Sequence, residues 1–209
     1  MDRILEFLRS AEKLKCEKRD LLLSNGEWES VAAHTWMMSL CAVLFHDKMK
    51  AAVDLLRALK IIMVHDLSEA ITGDVSLVDQ QVYGKADKDE KEKAAIVKIL
   101  EPLDPAKRDE ILSLWQEYQD AATPEARFVK ALDKLEATAQ VSFSKNLKYM
   151  GDFSDGDFYY DDVLNSRRRA FWDHESAFVE FYGLVREEFK SRMKEEGIDA
   201  EKYIEKENK

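Results

Sequence analysis

Apolar residues recur along this chain at helical intervals. Ile4, Leu5, Phe7, Leu8, Ala11 and Leu14 form a stripe three and four residues apart, which predicts a helix over Ile4 to Leu14. Asn25-Gly26 then marks a loop. A second helix is predicted from Glu29 to about Asp47, with Ser30 near its start and Val31, Met38, Cys41, Leu44 and Phe45 available to a core. A third is predicted from Ala51 to about Leu67, with Leu55, Leu56, Leu59, Ile62 and Met63 as its buried face. From Gly73-Asp74 to about Ala86 the chain reads as an irregular connection rich in Asp, Gln and Gly, and connections of this length are often functional.

Helical spacing resumes from Lys88 to Leu100, breaks at Glu101-Pro102, and returns from Asp104 or Pro105 to about Gln119. Thr123-Pro124-Glu125-Ala126 combines a capping side chain with proline at the first helical position. The helix it starts contains Phe128, Ala131, Leu132, Leu135 and Ala139 and carries Asp133. Gly151 to Gly156 is a loop, and Asp161 to about Glu196 reads as one or two long helices whose apolar side includes Phe171, Phe178, Phe181, Tyr182, Val185 and Phe189. Trp172, Phe178, Phe181 and Tyr182 belong to a core or a dimer interface. With no repeat or linker in the pattern, we expect a single domain over residues 1–196 and a charged tail over 197–209.

Composition narrows the fold. Only 7 Gly and 3 Pro are present, too few turn residues for a many-stranded β protein, so an all-α fold is expected. A net charge of −10 argues against a nucleic-acid polymer as partner, because no basic field offsets phosphate repulsion; a small anion held beside a metal remains open. Cys16 and Cys41 lack paired spacing, which predicts a reduced, cytoplasmic setting. No run approaches the roughly 18 apolar residues of a membrane span, and Met1-Asp2-Arg3-Ile4-Leu5-Glu6 lacks a signal-peptide core.

Candidate chemistry starts at His65-Asp66, which ends the apolar run Ile61-Ile62-Met63-Val64. A buried carboxylate is costly enough that it usually pairs, protonates or binds a metal. On a continuous helix Glu69 shares the face of His65, and Asp66 lies about 100° round from it. Bland readings exist for each group alone: His65 or His34 as a core imidazole bonded to a carbonyl, and Asp133 paired with a neighbouring lysine. In combination the reading changes, because three apolar helices each present an imidazole or a carboxylate, and Asp74 follows Gly73 at a turn. His46 and His174 sit among charged residues and read as solvated, and Arg167-Arg168-Arg169 reads as pairing within its helix. Gly-rich phosphate loops, GxSxG and HExxH are absent.

Three segments carry a resemblance: Glu29-Ser30-Val31-Ala32-Ala33-His34; His65-Asp66-Leu67-Ser68-Glu69-Ala70-Ile71-Thr72-Gly73-Asp74; and Ala126-Arg127-Phe128-Val129-Lys130-Ala131-Leu132-Asp133-Lys134-Leu135-Glu136. Together they resemble the H…HD…D signature of the HD-domain metal-dependent phosphohydrolases, and specifically the 5′-deoxynucleotidase branch. The similarity runs from about Leu14 to about Tyr149 and includes Leu114-Trp115-Gln116-Glu117-Tyr118.

The resemblance implies an HD-type helical bundle around a central metal site. It implies His34, His65, Asp66 and Asp133 as ligands of a divalent cation (Mn, Co, Fe, Ni, Zn or Mg), with His34 also bordering the substrate. Glu69 would be the catalytic acid/base. Asp74 would act beside the reacting group and sugar, or help hold a second ion with the Val75 carbonyl, and Arg19 would contact the substrate phosphate. Two departures stand out: Asp20 follows the arginine where the bacterial branch has tryptophan, and Ala33 precedes the first histidine where the family usually has Glu. The implied reaction is hydrolysis of deoxyribonucleoside 5′-monophosphates by a homodimer. The alternatives are an HD phosphohydrolase for a triphosphate, cyclic nucleotide or alarmone, and a non-catalytic helical nucleotide-binding protein.

Overall fold

The computed structural model describes residues 1–74, 85–147, 160, 163–165 and 168–204. Its first helix, α1 (Asp2–Ala11), tightens into a 3₁₀ turn over Glu12–Lys15. The sequence predicts only a loop before the next helix, but the structure has an antiparallel hairpin there, β1 (Lys18–Leu22) and β2 (Trp28–Ser30), pairing Lys18 with Ser30 and Leu22 with Trp28. Its turn is the Asn25-Gly26 pair: Gly26 takes φ +87°, and Asn25 Oδ1 accepts a hydrogen bond from the Glu27 amide at 2.9 Å. Strands this short, opening with Lys18-Arg19-Asp20, carry too little alternation to register in the sequence. The all-α class holds, since this hairpin is the only sheet among the described residues.

Six further helices and one helical turn follow: α2 (Val31–Phe45), α3 (Leu55–Val64), the turn α4 (Glu69–Thr72), α5 (Lys85–Leu100), α6 (Pro105–Asp120), α7 (Pro124–Phe143) and α8 (Ser176–Glu195). Ser30, Asp54, Asp104 and Thr123 each accept a hydrogen bond from the amide three residues on, which fixes where α2, α3, α6 and α7 begin. Each such cap contributes about 1 kcal/mol. Thus α2 starts at Val31, two residues later than its apolar pattern predicts.

Two expectations are corrected. The third helix ends at Val64, not Leu67, and residues 65–68 are turns closed by bonds from the Leu67 amide to Val64 O and from the Glu69 amide to Asp66 O. His65 and Glu69 therefore do not share one continuous helix. The predicted buried face of α3 holds only in part: Ile62 is buried and Leu55 and Leu59 pack against the core, but Ala58, Ile61 and Val64 complete the face while Leu56 and Met63 are 66% and 64% exposed. Leu44 of α2 likewise points outward. Nearly every position of α2 is apolar, so its pattern has no phase, and in α3 only Arg57 and Lys60 mark the outside, so the neighbouring helices choose which stripe is covered.

Those neighbours are arranged around α7, against which α2, α3, α6 and α8 all pack. Fourteen of its twenty residues are buried, including Asp133, Glu136, Thr138 and Gln140, whose polar groups find partners inside the protein. Gln140 Nε2 and Ser144 Oγ both donate to Leu22 O, at 2.7 and 2.8 Å, which fastens the hairpin to α7. Phe128 stacks on Phe178 of α8 with ring centres 5.9 Å apart, and Trp172 and Phe178 are fully core. A smaller core joins Leu21, Val141, Phe189 and Met193, and Ile198, Ala200, Tyr203 and Ile204 pack against it.

In the region read as one or two long helices, α8 begins only at Ser176, after a 3₁₀ turn over Arg169–Phe171. Val75, Asp161 and Arg167, and the loop from Gly151 to Gly156, lie outside the described residues. Among the described residues no helix is long and apolar enough to cross a membrane.

Candidate metal centre

Three elements deliver the two imidazoles and the carboxylate predicted at the centre. His34 is on the first turn of α2, His65 directly follows α3, and Asp133 lies midway along α7; all three are buried. One ligand atom from each lies within 4.8 Å of the other two. Asp66 adds a half-buried carboxylate whose Oδ2 is 2.9 Å from His65 Nε2. The four residues singled out as ligands are therefore neighbours, although Asp66 sits at the rim of the group of three.

The tautomers follow from the partners. His65 Nδ1 is 2.7 Å from Ile62 O, and a carbonyl can only accept, so Nδ1 carries the proton and Nε2 presents a lone pair. His34 Nδ1 is 2.5 Å from Glu136 Oε2, so it too carries a proton on Nδ1 and turns Nε2 toward the centre. Both Nε2 atoms are buried without a hydrogen-bond partner. Two Nε2 atoms turned into a cluster that contains two carboxylates, each ring held from behind by an acceptor, suit a divalent cation that takes the place of any proton there. The residues fit such an ion.

Asp133 is also held. Its Oδ2 accepts from Tyr118 Oη at 2.6 Å and from Lys134 Nζ at 2.8 Å, while Oδ1 lies 3.3 Å from His34 Nε2. The lysine pairing considered for Asp133 from sequence is thus real, and it coexists with a place at the centre. Burial pushes the Asp133 carboxyl up, but Lys134, His34 and His65 outweigh it and hold it well below the usual range. Asp66 is lowered too, its burial outweighed by His65. For His34, burial and Arg19 pull the imidazolium down, and Glu136 with Asp133 overcomes them to hold it up to about 9. A cation taken up at His34 Nε2 must displace that proton.

On the other side stand Arg19, Glu69 and Asp74. Arg19, on β1, reaches Glu29 Oε2 at 3.2 Å, Glu136 Oε2 at 3.7 Å and Asp74 Oδ2 at 4.0 Å. Asp74 is aimed by the turn before it: Gly73 takes φ +76°, and the Asp74 amide donates to Glu17 Oε1 at 3.1 Å. A side chain at Gly73 would be strained there and would meet Glu17 Oε1 at 3.3 Å. Glu69 is buried on α4, and burial with Asp66 and Asp74 nearby raises its carboxyl well above the usual range. Burial lifts Asp74 to about 6 against the pull of Arg19.

Sequence reasoning left three contributors without a role. Glu136 had a local signal, since it follows Asp133 by three residues on one helix face. Glu29, lifted to about 7 by burial and by Glu136 despite Arg19, takes its part through the unforeseen hairpin. Tyr118 comes from another helix and has no local signal. His174 is exposed and His46 is half-buried on its own turn, and neither approaches the centre.

A model of the HD domain matches residues 11–170. The chain belongs to the HD-domain family. Among its relatives, the 5′-deoxynucleotidase HDDC2 of Danio rerio is 35% identical over 173 residues, covering 78% of this chain and 84% of the relative. The 5′-deoxynucleotidase hdd1 of Schizosaccharomyces pombe is 36% identical over 155 residues, covering 71% and 75%. A crystal structure of a protein named as a metal-dependent phosphohydrolase from Magnetospirillum magnetotacticum superposes with a TM-score of 0.71 over 94% of each chain. At 24% identity that likeness establishes the shared HD-domain fold.

Proposed function

We propose that this HD domain is a metal-dependent 5′-deoxynucleotidase, hydrolysing deoxyribonucleoside 5′-monophosphates to deoxyribonucleosides and phosphate. The observation that carries the chemistry is the pair of buried, unpartnered Nε2 atoms of His34 and His65 converging with Asp66 and Asp133 close to an arginine. The substrate class rests on the HD-domain relatives, which act as 5′-deoxynucleotidases by name at 30–36% identity.

His34, His65, Asp66 and Asp133 would hold the divalent cation. Such an ion would supply Lewis acidity, lowering the pKa of water to about 7 in a favourable site and screening phosphate charge. The remaining work falls to side chains of this chain. Arg19 presents a planar fork to two phosphate oxygens, held in place by Glu29 and Glu136. Asp74, 4.0 Å from Arg19, orients the phosphate or sugar. Water attacks phosphorus and the bond from phosphorus to the 5′ oxygen breaks; the leaving oxygen needs a proton, and the proton lost by the water restores the acid that supplies it. Glu69, kept protonated by burial and by its acidic neighbours, gives it that proton.

The substrate is a small nucleotide, and the setting is a cytoplasmic homodimer. Free Cys16 and Cys41 support a reducing compartment. In support of a dimer, α2 carries no Asp, Glu, Lys or Arg and turns Trp36, Leu40, Val43 and Leu44 outward. A panel of mono-, tri- and cyclic nucleotides with Mn²⁺ or Co²⁺ tests the reading. Phosphate release from deoxynucleoside monophosphates is expected, and turnover of triphosphates alone would overturn it.

A further inference from the structure

We propose that Tyr118 is a positioning residue of the metal centre, setting Asp133 and His65 relative to each other across two helices. The inference rests on the centre being a metal site. Tyr118 lies on α6 and is buried, and it touches two candidate ligands that come from different elements. Its hydroxyl donates to Asp133 Oδ2 at 2.6 Å. Its ring meets His65 edge-on, with centres 5.1 Å apart and planes at 67°.

The consequence for Asp133 is directional. Oδ2 already receives Tyr118 and Lys134, so its lone pairs are engaged, and Oδ1 is the oxygen left facing His34 Nε2. Asp133 therefore offers the centre one oxygen rather than two. Lys134 follows Asp133 on the same helix and supplies charge, but its flexible four-carbon stem fixes direction poorly. Tyr118 has a rigid ring, which Lys130 Nζ overlies at 4.4 Å. That same ring braces His65, whose Nδ1 bond to Ile62 O pins one edge of the imidazole and leaves the tilt of its plane to packing. One side chain thus sets both the oxygen that Asp133 presents and the plane in which the His65 lone pair lies.

Partners of this kind behind metal ligands typically account for 10–100-fold in metal affinity. The test compares full-length wild type with Tyr118→Phe, a change that keeps the ring and removes only the hydroxyl. Both proteins are stripped of metal and titrated with Mn²⁺ in competition with a chelator, without nucleotide. Tyr118→Phe is expected to bind Mn²⁺ roughly tenfold more weakly. Its Co²⁺ complex should change its visible absorption, because Asp133 Oδ2 then keeps only the flexible Lys134 and the carboxylate can turn at the ion. Lys134→Met should lose affinity without that spectral change. A tyrosine that served only the fold would lower the melting temperature of the metal-free variant and leave Mn²⁺ affinity within about twofold of wild type; that result overturns the proposal. If wild type itself binds neither ion, the metal centre falls, and the role of Tyr118 falls with it.

Discussion

The two sides of the candidate site treat the same chemical groups in opposite ways. On the ligand side three of the four groups have a second partner: His34 has Glu136, His65 has Ile62 O, and Asp133 has Tyr118 and Lys134. Its carboxyls, Asp66 and Asp133, are held below their usual range. On the substrate side no described residue donates a hydrogen bond to the Glu69 carboxyl, and Asp74 is held mainly through its backbone amide. There the carboxyls are pushed up. Both sides are heavily desolvated, so burial alone does not decide ionisation. What decides it is whether the neighbouring cations outweigh burial and the acidic neighbours, and this splits one acidic cleft into lowered and raised carboxyls.

The contrast can be broken from either side. The largest effect is expected for His65→Ala, which removes a ligand and should cost more than about 100-fold in metal affinity, because even outer partners cost up to that much. Elemental analysis of the purified variant checks it, with loss of turnover following. Glu69→Gln should do the reverse, keeping its metal while kcat falls by about 10²- to 10⁴-fold, the range for a lost proton donor. A variant that loses metal instead would place Glu69 on the ligand side. Arg19→Lys keeps the charge but not the fork, and KM for the nucleotide should rise roughly tenfold with metal content unchanged.

The smallest effect is a pH trend. Glu29, Glu69, Asp74 and His34 all have folded-state values raised above their ordinary ones. A raised group contributes stability that is complete below its unfolded value and is lost as pH rises through its folded value. The metal-free protein should therefore lose melting temperature between about pH 5 and 9, through Asp74 near 6, Glu29 near 7 and His34 near 9. Asp66 and Asp133 do not add to this trend, since lowered acids have contributed fully by pH 5. Saturating Mn²⁺ should raise the melting temperature more at pH 8 than at pH 6, because less of the His34 proton remains to be displaced. Thermal scans with and without the ion across that range measure both trends.

Much of this was legible in the chain. Caps at Ser30, Asp54, Asp104 and Thr123 obey local rules, and so the helices carrying His34 and Asp133 could be placed from sequence. The phase of α2 and α3 could not, because a helix apolar all round takes its orientation from its neighbours, and Leu44, Leu56 and Met63 ended outside. The hairpin was missed because five- and three-residue strands leave almost no period to read, yet it is the element that brings Arg19 to Glu136. Glu69 was expected near His65 for a reason that did not hold, since the helix is broken between them. Tyr118 is fifteen residues from Asp133 and on another helix, a distance that only tertiary packing closes.

That break between α3 and α4 has a consequence of its own. A helix leaves its last four carbonyls without an internal partner, and one of these in α3 is Ile62 O. Were the helix to run on, the Asp66 amide would claim that oxygen. Because it stops, the oxygen is free for His65 Nδ1. The interruption works as a spare acceptor, and it chooses which nitrogen of the imidazole faces the centre. A helix-favouring substitution at Ser68 would then act as a slow poison of the site, leaving the ligand Asp66 and the core residue Leu67 in place and doing its damage by closing a bond that the protein keeps open.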